Sequence, residues 1–510
     1  MSRKRSIAGL IAIAVAAALV APATSSVAAT KTTKKVAKKK VTKKPVVATA
    51  APAATAAPAV GAAGPCAAKP DLSLDKTYGD GAGQAQWAGN CAEAKPLKAA
   101  GDPIVIGFQN PEGDPAGSFP EYRIAAEAAV GYINNELGGI GADLAAGKPG
   151  RPIKLEVCSM LINPTDSTKC ANELAAKKPF MVYSTLNFFG NHFATYNAAK
   201  VPVIVGTPIS PADFTSPGTY AIGGGGGCLG VHTGLIEFAT NDLKGTKVAV
   251  PWANTPPGVF CYHDLEKKPL QVLNGQTQAK DNSAALTKPS LTHIGVPILP
   301  GSADVTPQAQ QVLDFKPDVI VFSAQGADCW TFVNTLGKLG WTPAKIPLVL
   351  SGACTDDVKA REAGELAKGI YFVCTTPITQ TANLKGLLQE QSKLYLAKSD
   401  KYGAKDQKFK GFATQGFLGM MNIWLQGTAA AKGNPATLTA QGLEDAFAKT
   451  VRSHSWGGSP LECTSASAPY VTVCNARVTT TQWNGTGYDI KRENYSGLYL
   501  IKGTALDFGR

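Results

Sequence analysis

The side chains that could do chemistry in this chain sit where apolar runs end. Ile104-Val105-Ile106 is one such run, and Gln109, Asn110 and Glu112 follow it in a Gly- and Pro-rich loop that reaches Ser118. Glu112 could meet a cationic group on a ligand, or simply stand solvated. Tyr183-Ser184-Thr185-Leu186 closes a later run. Hydroxyls and backbone N–H groups at a helix start make an anion site. The same Ser184 or Thr185 can also cap its own helix, and capping and binding can coexist. Thr207-Pro208-Ile209-Ser210 closes the next run; Ser210 reads equally as part of a Ser-Pro turn with Pro211. Trp252, after Val248-Ala249-Val250-Pro251, could stack on a ligand or close a cleft, and the competing reading is a core or rim aromatic.

Catalytic chemistry is not encoded in any of the usual patterns. The glycine run 223–227 is followed by no G-K-[ST], so it is not a P-loop. It is also a poor dinucleotide fingerprint, because the strand before it is short and no acid follows at the expected distance. No G-x-S-x-G elbow occurs. His192, His232, His263, His293 and His454 are scattered and read as surface or core residues. With no C-x-x-C and no histidine cluster near the cysteines, a zinc site is weakly supported. We expect no enzyme, no metal and no cofactor.

Eleven cysteines in a chain with an export-type start point to disulfides. Cys158 and Cys170 flank one loop, and Cys463 and Cys474 flank an expected hairpin. Cys66 and Cys91 bracket a small Gly-rich segment. Cys228 with Cys261, and Cys329 with Cys354, lie in loops that the fold proposed below would bring together. Cys374, inside the apolar run 370–374, reads as the buried cysteine left over.

Length, charge and patterning set the frame. The chain has 510 residues and 44% apolar residues, enough for two or three domains with sizeable cores. Its net charge of +13 is misleading: eleven of the 50 basic residues fall within 1–44, which holds no acid, so the rest carries 39 basic against 37 acidic side chains. A basic tail is implied, and a nucleic-acid-binding face is not. Arg3-Lys4-Arg5, an apolar run from Ile7 to about Val20 and the small residues to Ala28 form a secretory signal peptide, 1–28; an uncleaved anchor is the alternative, though the run is short for a span. Residues 29–65, rich in Lys, Ala and Pro, cannot bury enough apolar surface to order themselves. They read as a disordered tether that could rest on anionic envelope polymer or lipid headgroups, or as a plain spacer. Residues 66–102 read as a small extension.

From Ile104 onward, strand and helix signals alternate. Strands are expected near 104–108, 153–158, 179–183, 201–205 and 219–222, then near 247–252, 293–298, 318–323, 347–350 and 369–374, with helices between. Such alternation predicts parallel sheets with helices on both faces, and two sets of about five strands predict two lobes. Helices follow near 384–398, 412–432 and 437–450, and short strands and turns follow Ser453. In open sheets of this kind, ligands sit beyond the carboxyl ends of the strands.

At this point the residues carry a resemblance. IVIGFQNPEGDPAG (104–117), AAEAAVGYINNELGGIG (125–141) and IKLEVCSMLINPTDSTKCANELAAKKPFMVYST (153–185), then KPDVIVFSAQGADCWTFVNTLGKLGW (316–341), LVLSGACTDD (348–357) and GFATQGFLGMMNIWLQGTAAAKG (411–433), are similar in order and spacing to the branched-chain amino-acid type of extracellular solute-binding protein. These are the ligand receptors of ABC importers, and their fold is the type I periplasmic-binding fold. The resemblance covers roughly 103–450 and implies two Rossmann-like lobes closing by hinge bending on a ligand cleft. It implies lobe 1 as 103–226 plus 376–475 and lobe 2 as 227–375 plus 476–510, with crossings near Gly223–Gly227, near Thr375–Thr379 and after Cys474.

The resemblance also places site residues. Ser184 and Thr185 fall where the family holds a ligand carboxylate, and Ser210 falls near its second hydroxyl ligand. Gln325, ending the run 319–324, stands near a ligand-contacting position that is aromatic in the family. Cys158 and Cys170 sit where the family often has a disulfide. The chain departs from the pattern at 352–357. Amino-acid binders commonly place an acid there for the α-ammonium, whereas this chain has Gly352-Ala353-Cys354-Thr355-Asp356-Asp357. Asp356 or Asp357 could take that role, although an Asp at a helix start is ordinarily a cap.

The expectation is therefore a secreted, envelope-associated receptor that captures a small polar molecule, an amino acid or a related amide or organic acid, for an ABC importer permease. The alternative is a sensing or envelope-attached module of the same fold without a transporter.

Overall fold

Every residue of β1 (Ile104–Pro111) except Val105 is buried, on the face of Ile104, Ile106 and Phe108 and on that of Gly107 and Gln109 alike, so the strand lies in a sheet covered on both faces. The computed structural model describes residues 96–501 apart from 145, 224–226, 276–287, 289, 325, 375–378, 380, 451–454 and 467. It contains two such sheets. The first is built from β1, β2 (Ile153–Met160), β3 (Met181–Ser184), β4 (Val203–Val205) and β5 (Thr219–Ala221), in the order β2-β1-β3-β4-β5, all parallel. Helices α1 (Pro120–Asn135), α2 (Pro164–Ala176), α3 (His192–Ala198) and α4 (Pro211–Thr215) make its crossovers.

The second sheet holds β6 (Lys247–Ala253), β7 (Thr292–Ile298), β8 (Val319–Phe322), β9 (Leu348–Ser351), β10 (Tyr371–Cys374), β11 (Val478–Trp483) and β12 (Tyr488–Tyr495). Its order is β12-β11-β10-β9-β8-β6-β7. The five strands up to β10 run parallel, while β10–β11 and β11–β12 pair antiparallel. Helices α5 (Cys228–Glu237), α6 (Pro256–Tyr262), α7 (Lys268–Leu273), α8 (Thr306–Asp314), α9 (Ala327–Lys338) and α10 (Asp357–Ala363) belong to this half. The chain leaves the first sheet after β5, and α5 then packs on β9, β10 and β11. It returns after β10, where α11 (Gly386–Lys401), α12 (Ala413–Ala431) and α13 (Ala440–Ala448) follow; α12 lies along α1. Val473 bridges to Ala221 at the edge of the first sheet just before β11 joins the second.

Local sequence explains these boundaries. Asn163 caps α2 by accepting the Asp166 N–H, and Ser210 and Asp213 form a reciprocal capping box on α4. Thr255 caps α6 ahead of Pro256. After α1 the chain turns at Gly138 and Gly139, both at positive φ. A Cβ on Gly139 would lie 2.3 Å from the Arg151 carbonyl oxygen, so only glycine lets the two segments meet.

Four disulfides form: Cys158–Cys170, Cys228–Cys261, Cys329–Cys354 and Cys463–Cys474. Cys374 is not in a disulfide, and its thiol faces the Thr479 carbonyl oxygen at 3.6 Å. One expectation is corrected. The Cys463–Cys474 segment is not a hairpin of strands: it holds a single turn of 3-10 helix (Cys463–Ser465), and the antiparallel hairpin is the next segment, β11–β12. The apolar residues Ala468, Tyr470 and Val471 around Pro469 lack the strict alternation a paired strand needs. The leader, the Lys-rich segment, Cys66 and Cys91 lie outside the described residues.

Candidate ligand-binding site

The carboxyl ends of strands from both sheets converge on one cavity. Its empty volume is about 610 Å³, including the part open to solvent. The first half contributes Leu186 and Phe188 after β3, Thr207 and Ile209 after β4, and Phe412 before α12. The second contributes Val231 and His232 of α5, Ala253, Thr255, Pro257 and Gly258 around the start of α6, Ser323 and Ala324 after β8, and Ser351 and Ala353 at the end of β9. The Cys228–Cys261 disulfide, tying α5 to α6, completes that wall. In the second sheet β6 and β8 are the strands at which the order reverses, and Ala253 ends β6 while Ser323 follows β8, as the switch-point rule requires.

The wall is mostly apolar with a few hydroxyls. Among the described lining residues His232 is the only one with an ionisable side chain, the two cysteines being bonded to each other. Thr207 Oγ1 lies 3.2 Å from the Tyr122 hydroxyl, which lies 3.2 Å from that of Tyr183; the Tyr183 hydroxyl in turn donates to the Gln415 carbonyl at 2.9 Å. Thr255 Oγ1 accepts the Gly258 N–H at 3.1 Å. Ser351 Oγ donates to the Ala324 carbonyl at 2.8 Å. These bonds hold the hydroxyls in fixed directions. His232 Nδ1 lies 3.0 Å from Glu266 Oε1, and that carboxylate is wholly buried.

Of the nine residues put forward from sequence, the structure brings Thr207 to the cavity. Gln109 is buried inside the first half, where its amide reaches Met160, Ser167 and Asn187 and accepts the Tyr196 hydroxyl at 2.6 Å. Ser184 and Thr185 are also fully buried. Ser184 Oγ meets Asn187 and His192, and Thr185 Oγ1 donates to Asn110 at 2.7 Å; it is the next residue, Leu186, that reaches the cavity. The Thr185 N–H is taken by the Gln109 carbonyl, so this strand end has little left for an anion. Glu112 pairs with Arg123 at 2.8 Å. Ser210 caps α4 and is buried. Trp252 stacks on Tyr262 at 4.9 Å with an interplanar angle of 4° in the second half's core. Asp356 caps α10, accepting from Val358 N and Lys359 N at 3.0 Å. Gln325 lies outside the described residues.

Sequence reading passed over His232, Leu186, Phe188 and Phe412. Helical spacing does place His232 one turn from Cys228, and that pattern, with the Cys228–Cys261 pairing, was the available signal. One ligand atom each from Cys228, His232 and Cys261 lie within 4.8 Å of one another. The donor set does not suit a metal while the sulfurs are bonded to each other, because the ligand form is the thiolate.

Next to the cavity the halves touch. Asp356 bridges Lys410 through the backbone, and Gly411 faces Ala353. Glu121, whose carboxyl burial pushes up to about 7 against the nearby Lys410 charge, stands beside this junction. Asp213 below Ile209 is likewise raised to about 7 by burial, although it accepts the Ile209 and Ser210 N–H groups.

Two α/β lobes with a cavity between their strand ends define a binding protein of the type I periplasmic-binding fold. A profile of the periplasmic binding protein family matches residues 103–456, and the chain belongs to that family. It is a family of substrate-binding proteins rather than enzymes. No curated protein matches the chain. Solved structures that it resembles include the branched-chain amino acid transporter substrate-binding protein LivJ from Streptococcus pneumoniae in complex with isoleucine, with 15% identity, 77% of this chain and 100% of that one covered, and a TM-score of 0.54. A solute-binding protein of an ABC transporter from R. palustris, in complex with 4-hydroxybenzoate, has 16% identity, 78% and 97% coverage and a TM-score of 0.56. A fatty acid ABC transporter substrate-binding protein from Thermomonospora curvata has 15% identity, 80% and 95% coverage and a TM-score of 0.58.

Proposed function

We propose that the protein is an extracytoplasmic receptor that closes its lobes on a small molecule with a largely apolar body and delivers it to an ABC importer. One observation carries the ligand class: the cavity wall has apolar side chains from both lobes and, among the described residues, no Asp, Glu, Lys or Arg. A free amino acid would bring an ammonium into this wall with no carboxylate on it, and burying an unpaired charge is costly. Leu186, Phe188, Ile209, Val231 and Phe412 would instead cover an aliphatic or aromatic body. Thr207, Thr255, Ser323 and Ser351 would meet its polar atoms. An amide, or an organic acid whose single carboxylate takes hydroxyl donors, therefore fits better than an amino acid, which would bring a second charge. The structural neighbours include one in complex with 4-hydroxybenzoate and one described as a fatty acid transporter protein, which agrees with this class without assigning it. The leader 1–28 would export the chain, and the lysines of 29–65 would hold it near anionic envelope polymer.

A thermal-shift screen of the protein against amino acids, amides, ureas, aliphatic acids and aromatic acids tests the reading. A ligand at about a hundred times its Kd stabilises the folded state by about 2.7 kcal/mol, so a member of the apolar acid or amide classes should raise the melting temperature visibly. A flat response in folded, ligand-free protein would favour a sensing or envelope-attached module instead.

A further inference from the structure

Two hydroxyls of the cavity wall have their hydrogens committed to the protein. Thr207 follows β4 and ends a chain of hydroxyls that runs into the first lobe. Its Oγ1 lies 3.2 Å from the Tyr122 hydroxyl of α1, which lies 3.2 Å from the Tyr183 hydroxyl of β3. The Tyr183 hydroxyl donates to the Gln415 carbonyl of α12 at 2.9 Å. Both phenols are buried, and burial pushes both up in pKa, so each keeps its one hydrogen. A carbonyl oxygen only accepts, and it therefore sets the direction of the whole chain. Tyr183 donates to Gln415, Tyr122 to Tyr183, and Thr207 to Tyr122. Any other order leaves one of the two 3.2 Å contacts with no hydrogen between its oxygens. A Cβ on Gly206 would lie 2.1 Å from the Tyr122 hydroxyl, and one on Gly419 would lie 2.3 Å from that of Tyr183, so two glycines make room for the chain. In the second lobe, Ser351 Oγ donates to the Ala324 carbonyl at 2.8 Å. Its other neighbour, Cys354 Sγ at 3.6 Å, is bonded to Cys329 and has no hydrogen to give.

We propose that Thr207 and Ser351 are fixed hydrogen-bond acceptors, one from each lobe, and that the ligand is a neutral carboxamide on an apolar body. The inference rests on the receptor reading above and narrows its ligand class. Both residues line the cavity, and with their hydrogens committed they turn only lone pairs to it. Thr255 is the complement. Its Oγ1 accepts the Gly258 N–H at 3.1 Å, which leaves its own hydrogen for the ligand. A primary amide matches this set, with two N–H donors for Thr207 and Ser351 and an oxygen for Thr255. A carboxylate offers acceptors alone. It sets lone pairs against lone pairs at Thr207 and Ser351, and leaves both unmatched once the cleft excludes water. An ammonium supplies donors but brings a charge that no Asp or Glu of the described wall balances.

The test is calorimetric titration of the full chain with a matched set: hexanamide and benzamide, the methyl ketones of the same shape (2-heptanone and acetophenone), hexanoate and benzoate, and benzylamine. The better-bound amide should bind at least about tenfold more tightly than its ketone and its carboxylate, because each of those leaves two acceptors unmatched. Tyr183→Phe removes the acceptor at which the Tyr122 hydroxyl points. The Tyr122 hydrogen then turns to Thr207, and the Thr207 hydrogen turns to the cavity. The amide's lead over the ketone should shrink by at least about threefold in this variant, and likewise in Tyr122→Phe, which frees the Thr207 hydrogen directly. A packing defect would instead weaken every ligand alike. Equal loss for amide and ketone, or an unchanged preference, in the two variants overturns the proposal. So does a wild-type protein that binds the ketone, the carboxylate or benzylamine as tightly as the amide. Should both variants fail to fold, that wild-type comparison decides. If this set fails to bind while another class in the thermal-shift screen does, the carboxamide inference falls and the receptor reading stands. If nothing binds in either experiment, both fall.

Discussion

Gly411 of the first lobe faces Ala353 of the second so closely that a Cβ on the glycine would lie 2.6 Å from the Ala353 carbonyl oxygen. The residue before it, Lys410, bridges Asp356 across the lobes, and the residue after it, Phe412, lines the cavity. Gly411→Val should therefore hold the lobes apart. Overpacking of this kind costs roughly 1–3 kcal/mol, so affinity for any ligand that binds between the lobes should fall about 5- to 150-fold, with the melting temperature of the unliganded protein little changed. An unaltered Kd by calorimetry would mean that this contact is not part of the bound state.

Asp213 predicts a pH dependence. Its ordinary value is 3.8, and burial raises it to about 7 in the folded chain. The folded state then holds a proton that the unfolded chain has released, so its contribution is full below about pH 3.8 and is lost as pH rises through about 7. Asp213→Asn keeps an oxygen for the Ile209 and Ser210 N–H groups and removes the charge. It should narrow the stability gap between pH 5 and pH 8 by on the order of 1–4 kcal/mol. Glu121 shares the direction, so a residual slope should persist. His192 acts oppositely: burial lowers it to about 3, and its contribution is lost as pH falls below its ordinary value. Urea melts at the two pH values check this, and identical gaps in wild type and variant would refute the assignment.

The Cys228–Cys261 bridge closes a sequence separation of 33 and forms part of the cavity wall. In the chain-entropy picture such a loop contributes about 4 kcal/mol. The double variant Cys228→Ala, Cys261→Ala should lose stability of that order and bind ligand more weakly, because α5 and α6 are no longer tied. Denaturation and titration of the same preparation would show both effects; a variant with lower stability and intact affinity would confine the bridge to a structural role.

Asp356 is a helix cap in this fold. Asp356→Ala should cost about 1 kcal/mol of stability and leave ligand affinity within about twofold. A tenfold loss in affinity, measured beside an unchanged melt, would return Asp356 to the ligand site.

Much of this architecture was legible in the residues themselves. Apolar runs of strand length, separated by helix-length segments, dictate parallel sheets covered on both faces, because only that arrangement buries runs such as Val203–Val205 and Val319–Phe322 completely. Thr255-Pro256 and Asn163-Pro164 announce helix starts through groups that satisfy their own backbone. Such signals are local, so they survive without knowledge of the rest of the chain. The cavity is different. Gln109, Ser184 and Thr185 end the right strands, yet in the folded chain their polar groups bond to Tyr196, Asn187 and Asn110. A strand end says that a site is near and not which side chain points into it. His232 and Glu266 lie on separate helical segments, and Phe412 arrives from the far end of the chain. Their convergence is set by how two lobes pack, a relation between distant segments that leaves no periodicity or spacing to read, so only the tertiary structure decided what the wall of this site is made of.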